Sequence, residues 1–236
     1  MEIMTEFSEP DWGSIMKQTQ KDYEVNGIFP TPIYFAKRDS DLDSTEEKEV
    51  EDIIEEGMYK NDENFTTQVR RFIPSSNTYI LNNTKLKKLK EFCDRHIDTY
   101  VKEVIATREE LDFYITQSWL NIIKPGESLH HHSHSNSIIS GVFYISTEED
   151  DKIMFTDPNV KLKELIIFDQ TEFNMWNSGT WTYPSKNNSL ILFPAWLDHS
   201  AIQNLNATRD RISLAFNVFV RGKIGTQGKL SELVLR

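Results

Sequence analysis

His132-Ser133-His134-Ser135-Asn136-Ser137-Ile138-Ile139-Ser140-Gly141-Val142-Phe143-Tyr144 begins as a polar, histidine-bearing segment and ends as an apolar strand. In extended backbone, residues i and i+2 project to the same side, so His132 and His134 can reach one ion while Ser133 faces away. His130 lies on that side as well, and spacing alone leaves His130/His132 open as the alternative pair. Ile138 to Ser146 is rich in β-branched and aromatic residues, the composition of a strand. A metal held in this way needs a β-scaffold around it and a further ligand from elsewhere in the chain.

Both are offered downstream. Leu190-Ile191-Leu192-Phe193-Pro194-Ala195-Trp196-Leu197-Asp198-His199 runs a buried strand into a proline break and delivers one histidine. If His199 faces the metal, Asp198 faces away from it. Arg211-Ile212-Ser213-Leu214-Ala215-Phe216-Asn217 alternates cleanly, with Arg211, Ser213, Ala215 and Asn217 on one face and Ile212, Leu214 and Phe216 on the other. By itself this reads as a half-buried strand with a solvated polar face. Arginine with serine two residues on also suits a carboxylate, through a forked ionic contact and a neighbouring hydroxyl.

The wider chain fits a β-scaffold with helices placed before it. Strands are expected at Tyr114–Ile123, Ile138–Ser146, Lys152–Thr156, Leu162–Asp169, Ser189–Pro194 and Arg211–Val220, separated by Asn, Asp, Gly, Pro and Ser clusters. Upstream, Asp43 to Glu47 carries capping residues and acids at the start of a helix to about Lys60. Leu86, Leu89, Cys93, Ile97, Tyr100, Val101 and Val104 recur at helical spacing, which predicts a long amphipathic helix over Thr84–Thr107. Ile28 to Phe35 reads as a short strand entered through Pro30 and Pro32, and Asn174–Asn188 as a long loop. The expected division is an arm over 1–26 and one domain over 27–236, with helical support at about 40–110 and strands at about 113–220. Helices followed by closely spaced strands imply an all-β core, a sandwich or barrel, with helices packed outside.

Bulk properties narrow the function. With 37 acidic against 26 basic residues, the formal charge of −11 repels phosphate backbones and disfavours nucleic acid as a partner. Cys93 is the sole cysteine, so neither an intrachain disulfide nor a thiolate zinc cluster is available. Met1–Pro10 is acidic and polar, unlike a signal peptide, and no run approaches a membrane span, so a cytoplasmic protein is expected.

Several of these motifs in this order resemble the 2-oxoglutarate/iron(II) oxygenases of bacteria and tailed phages. The shared features are Trp119-Leu120-Asn121, Pro125-Gly126, the His132–Tyr144 stretch, Asp157-Pro158, the Phe193-Pro194-x-Trp196-Leu197-x-His199 stretch and Arg211-Ile212-Ser213 to Phe216-Asn217. Phe29-Pro30-Thr31-Pro32 is similar to the family's opening. The resemblance covers roughly Phe29 to Phe219. Because Ser137 and Ser140-Gly141 are counted from the histidines, it favours the register His132/His134 over His130/His132. Ser135 departs from the proline usual at its position. His134 stands where the commoner oxygenase pattern has Asp or Glu, and neither Asp157 nor Asp169 has the spacing to replace it.

The resemblance implies a double-stranded β-helix (a cupin-like jelly roll) with an N-terminal helical buttress. It implies iron(II) on His132, His134 and His199, with 2-oxoglutarate and dioxygen as the further reactants. Arg211, assisted by Ser213, would take the distal carboxylate of 2-oxoglutarate, and Asn121 and Tyr144 could also reach it. Trp176, Trp181 and Tyr183 would either wall a substrate or anchor their loop. The expected reaction is hydroxylation of an unidentified protein or small-molecule substrate, by an enzyme for which a homodimer is one possible state. Two other classes stay open: a three-histidine dioxygenase without 2-oxoglutarate, and a metal-stabilised binding or virion-associated module.

Overall fold

The computed structural model describes residues 25, 27–60, 73–74, 77–163, 165–166 and 168–236 of the 236. It divides into Met1–Thr31 and Pro32–Arg236, and the elements below belong to the second unit. The expected N-terminal arm lies outside the described residues except for Val25.

Helix α1 (Ser44–Lys60) is started by its own sequence. The Asp43 carboxylate accepts from the Thr45 and Glu46 N–H groups, each at 3.0 Å, and Glu46 accepts in return from the Asp43 N–H at 3.0 Å. This reciprocal capping box satisfies donors that no helical carbonyl can reach. Arg38 donates to the same Glu46 carboxylate at 2.8 Å and ties strand β1 (Tyr34–Lys37) to the helix start. The two prolines precede β1 rather than interrupt it. Helix α2 (Lys87–Tyr100) runs into a π-turn at Val101–Ile105 and stops where Ala106 turns left-handed at φ 51°. The single long helix expected over Thr84–Thr107 is therefore a 3₁₀ turn, an α-helix and a π-turn in series.

The remaining strands are β2 (Ile73–Pro74), β3 (Leu111–Ile123), β4 (Ile139–Ser146), β5 (Lys152–Thr156), β6 (Thr180–Pro184), β7 (Ser189–Pro194), β8 (His199–Ala201), β9 (Arg211–Ile224) and β10 (Leu233–Leu235). They form two sheets. The larger has the order β1-β7-β4-β9-β3-β2, with β10 on the far end of β9, and the smaller has the order β6-β5-β8. His132 and His199 exchange backbone hydrogen bonds of 3.0 Å each, and the Leu129 N–H donates to the Ala201 carbonyl at 3.0 Å, so residues 129–132 line the free side of β8.

Period-2 alternation splits the larger sheet between two cores. On its outer face Ile139, Phe143, Leu190, Leu192, Leu214, Phe216 and Val218 pack with Leu86, Leu89, Phe92, Cys93, Ile97 and Tyr100 of α2 and the turn before it. That is the helical buttress. On the inner face Tyr144, Ile191 and Phe193 meet Ile153 and Phe155 of the smaller sheet and Leu197 of the turn before β8. The architecture is a double-stranded β-helix whose two sheets face each other as a jelly roll, not a barrel closed by strand pairing.

Two expectations fail between β5 and β7. Leu162–Asp169 is not a strand: Val160–Lys163 forms a short helix, and no described residue from there to Gln170 is in a strand. The run is apolar, but Leu162, Leu165, Ile166 and Phe168 are all at least two-thirds exposed. Strand propensity reflects a half-buried pleated surface, and these residues have none to join. Conversely, the expected loop Asn174–Asn188 contains β6, whose Thr-Trp-Thr-Tyr alternation pairs with the whole of β5.

Candidate active site

His132, His134 and His199 converge on the smaller sheet's inner face, with one ring nitrogen from each lying within 4.8 Å of the others. The backbone brings two of them together: His132 and His199 are opposite partners in the ladder, and their ring centroids lie 4.3 Å apart. His134 comes from the irregular stretch that follows, anchored by its N–H on the Ala195 carbonyl at 2.9 Å, with its ring 5.1 Å from each of the other two. His130 and His131 are exposed and outside the cluster; the half-buried Asp157 and the exposed Asp169 lie outside it too. It is His132 and His134, not His130, whose rings lie with that of His199.

Each ring is held through Nδ1. His132 is bound to the His130 carbonyl at 2.9 Å, His199 to the Leu197 carbonyl at 2.9 Å and His134 to the Asn217 Oδ1 at 2.5 Å. A carbonyl oxygen can only accept, so Nδ1 carries the proton and Nε2 presents its lone pair to the cluster. Burial disfavours the imidazolium form, lowering the pKa of His132 and His134 and driving that of His199 down to about 3. Neutral imidazoles with free Nε2 lone pairs are the state in which histidine ligates a metal.

The cluster forms one wall of a pocket between the two sheets. Arg211, Ser213, Asn121, Tyr144 and Ser140 face it from the larger sheet. Arg211 is 4% exposed; Nη1 donates to the Lys152 carbonyl at 3.3 Å and Nη2 to the Ile202 carbonyl at 3.0 Å, with the Asp151 carboxylate 3.6 Å away. Its Nε–H is buried without a partner. Tyr144 is fully enclosed, and burial pushes its pKa up to about 12, so its hydroxyl keeps its proton and remains a donor. Asn121 accepts the Trp119 indole N–H on Oδ1 at 3.1 Å, which leaves its NH₂ free of that contact. Every site residue expected from sequence therefore lines this one pocket.

Three participants had been given no part in the site. Asn217 had been distinguished as a member of a polar strand face and of a family-like motif, Trp119 as a motif residue only, and Asp151 not at all; in the fold Asn217 holds His134, Trp119 stacks on it (centroids 5.7 Å apart, planes at 24°), and Asp151 is the counter-charge of Arg211. The alternation that put Asn217 on the face of Arg211 was a signal, but its cross-strand neighbours depend on a register that sequence spacing does not specify. Of the loop aromatics, Tyr183 packs against Phe35 and Phe155, while Trp176 and Trp181 remain 47% and 40% exposed.

Residues 117–217 match a protein-family model described as "Putative 2OG-Fe(II) oxygenase". No curated protein sequence matches the chain. Among solved structures it is similar in fold to the non-heme alpha-ketoglutarate-dependent carbocyclase SnoK from nogalamycin biosynthesis, at 12% identity and a TM-score of 0.51 over 85% of this chain and 86% of that one. It is likewise similar to EctD from S. alaskensis, crystallised with 2-oxoglutarate and 5-hydroxyectoine, at 16% identity and a TM-score of 0.51 over 80% of this chain and 72% of that one.

Proposed function

We propose that the chain, whose residues 117–217 match the model of the 2OG-Fe(II) oxygenases, takes iron(II), 2-oxoglutarate and dioxygen, that His132, His134 and His199 hold the iron, that Arg211 and Ser213 bind 2-oxoglutarate, and that the product is a hydroxylated substrate. One observation carries this reading. Seven buried side-chain polar atoms lack a partner among the described residues, and four of them belong to residues lining this pocket: His134 Nε2, Arg211 Nε, Ser140 Oγ and Ser200 Oγ. Buried polar groups are otherwise almost always paired, so orphans gathered at one place mark a site completed by a ligand. Three lone pairs at one end and a buried guanidinium at the other suit a metal and a dicarboxylate bound together.

Iron(II) held there supplies the redox chemistry that couples oxidative decarboxylation of 2-oxoglutarate, to succinate and carbon dioxide, to oxidation of the second substrate. The protein contributes binding and orientation. Arg211 offers Nε–H and its remaining Nη hydrogens to the distal carboxylate, Ser213 and Tyr144 add hydroxyl donors, and the Asn121 amide reaches in from β3. Phe155 and Phe193 keep water from His199, the latter edge-on at 4.6 Å between centroids. The substrate, whether a protein side chain or a small molecule, enters over the mouth. Metal analysis of purified single variants tests the ligand set. His132→Ala, His134→Ala and His199→Ala should each lose bound iron, while His130→Ala and His131→Ala keep it. Iron retained in His134→Ala and lost in His130→Ala would overturn the assignment.

A further inference from the structure

His132 and His199 share a device that His134 does not use. Each of the first two binds, through Nδ1, the backbone carbonyl two residues before it, His130 for one and Leu197 for the other. The equivalent carbonyl for His134 is that of His132, and it already accepts the His199 N–H at 3.0 Å in the ladder that brings the other two ligands together. His134 also lies in an irregular stretch, next to the left-handed residue Asn136 at φ 53°, so no strand fixes its direction. Its orientation comes instead from the larger sheet. Asn217 on β9 takes its Nδ1–H, and Trp119 on β3 stacks over its ring while donating its indole N–H to Asn121.

We infer that Asn217 is the positioning residue that makes His134 a neutral third ligand, with Trp119 clamping the same ring and coupling it to the Asn121 amide. This rests on the three-histidine reading of the site. An amide oxygen fixes the tautomer and the ring plane without adding charge, so the iron keeps its full double positive charge. A carboxylate in the same place would raise the basicity of the imidazole and stabilise the more highly charged metal. Among the described residues no carboxylate joins the three-histidine cluster, and the same holds for the groups that orient it: two peptide carbonyls and one side-chain amide hold the three rings.

Titration of metal-free protein with Mn(II), followed by electron paramagnetic resonance, tests the inference without any turnover. Asn217→Leu removes the acceptor and should weaken Mn(II) binding by about 10–100-fold, the usual cost of losing such a partner. Asn217→Asp keeps the shape and the acceptor, and should bind Mn(II) at least as tightly as wild type while lowering the Fe(III)/Fe(II) potential of iron-loaded protein. Trp119→Phe, which keeps a stacking ring, should stay within a few-fold of wild type. If Asn217→Leu does not fold, Asn217→Ser, whose shorter side chain falls short of His134 Nδ1, takes its place in the Mn(II) titration with the same expected weakening, and wild-type affinity in that variant overturns the inference equally. Wild-type Mn(II) affinity in folded Asn217→Leu, or an unshifted potential in Asn217→Asp, would overturn the inference. Such a result with His134→Ala still defective leaves the ligand set standing, whereas wild-type affinity in His134→Ala removes the reading beneath it.

Discussion

Arg211 and Asp151 lie 3.6 Å apart with both side chains at least 96% buried, and their charges offset one another at the floor of the pocket. In the proposed site three neutral imidazoles would add no charge, so the two charges of iron(II) would be met by the two carboxylates of 2-oxoglutarate. Arg211→Ala should therefore raise the dissociation constant for 2-oxoglutarate by roughly two orders of magnitude, since charge-assisted hydrogen bonds contribute about 1.5–3 kcal/mol and each 1.4 kcal/mol is about tenfold. It should also lower the melting temperature, because Asp151 would stay buried with only Asn204 and the Glu148 N–H as partners. Adding Asp151→Asn should restore stability but not affinity, and Arg211→Lys should recover affinity only in part, since it lacks the guanidinium's fork. Calorimetry and thermal unfolding of the three variants separate these effects. At this scale the sequence was most legible where a residue type has few uses: histidines two apart, or arginine on a strand's polar face. Asn217 and Trp119 stood in family-like motifs but, like Asp151, had no role assigned, because asparagine, tryptophan and aspartate have many ordinary uses and only cross-strand neighbours assign these.

Elements were legible where they start and stop by local chemistry. Asp43 and Glu46 announce α1 because a capping box is written in nearby residues, and Asp43→Ala should lower the midpoint of chemical denaturation. Strands β3, β4, β5, β7 and β9 were legible from alternation or apolar runs of strand length. The segment 160–184 was misread because apolar content decided its assignment when partners should have: Leu162–Asp169 finds no strand to pair with, whereas Thr180–Pro184 has all of β5. At Gly141 the close approach of two elements sets the residue. A Cβ there would lie 2.1 Å from the Phe216 Cζ, on a ring with no exposed surface, between β4 and β9. Gly141→Ala should lose about 1–3 kcal/mol of stability by overpacking, read as a lower denaturation midpoint with an unchanged slope.

Across the whole molecule, the helices brace one face of the larger sheet while the chemistry occupies the other, so the outer core reports global unfolding without touching the site. Cys93 lies within that core, fully buried, and desolvation holds its thiol pKa far above the ordinary value. Native protein should resist iodoacetamide, and the labelling rate should rise with denaturant in step with loss of circular dichroism; labelling without unfolding would show that the buttress opens independently. Among the described residues no helix is long and apolar enough to cross a membrane. The architecture as a whole followed from the order of helices and strands together with the family resemblance, whereas the facing of two separate sheets needed coordinates. The most direct test of the central claim is calorimetric titration of 2-oxoglutarate into anaerobic protein with and without iron(II). The expected result is one site in the iron-loaded protein and binding at least about tenfold weaker without metal, a loss of about 1.4 kcal/mol. No binding to iron-loaded protein, or equal affinity with and without iron, would contradict a pocket in which histidine-bound metal and Arg211 hold the two ends of the same ligand.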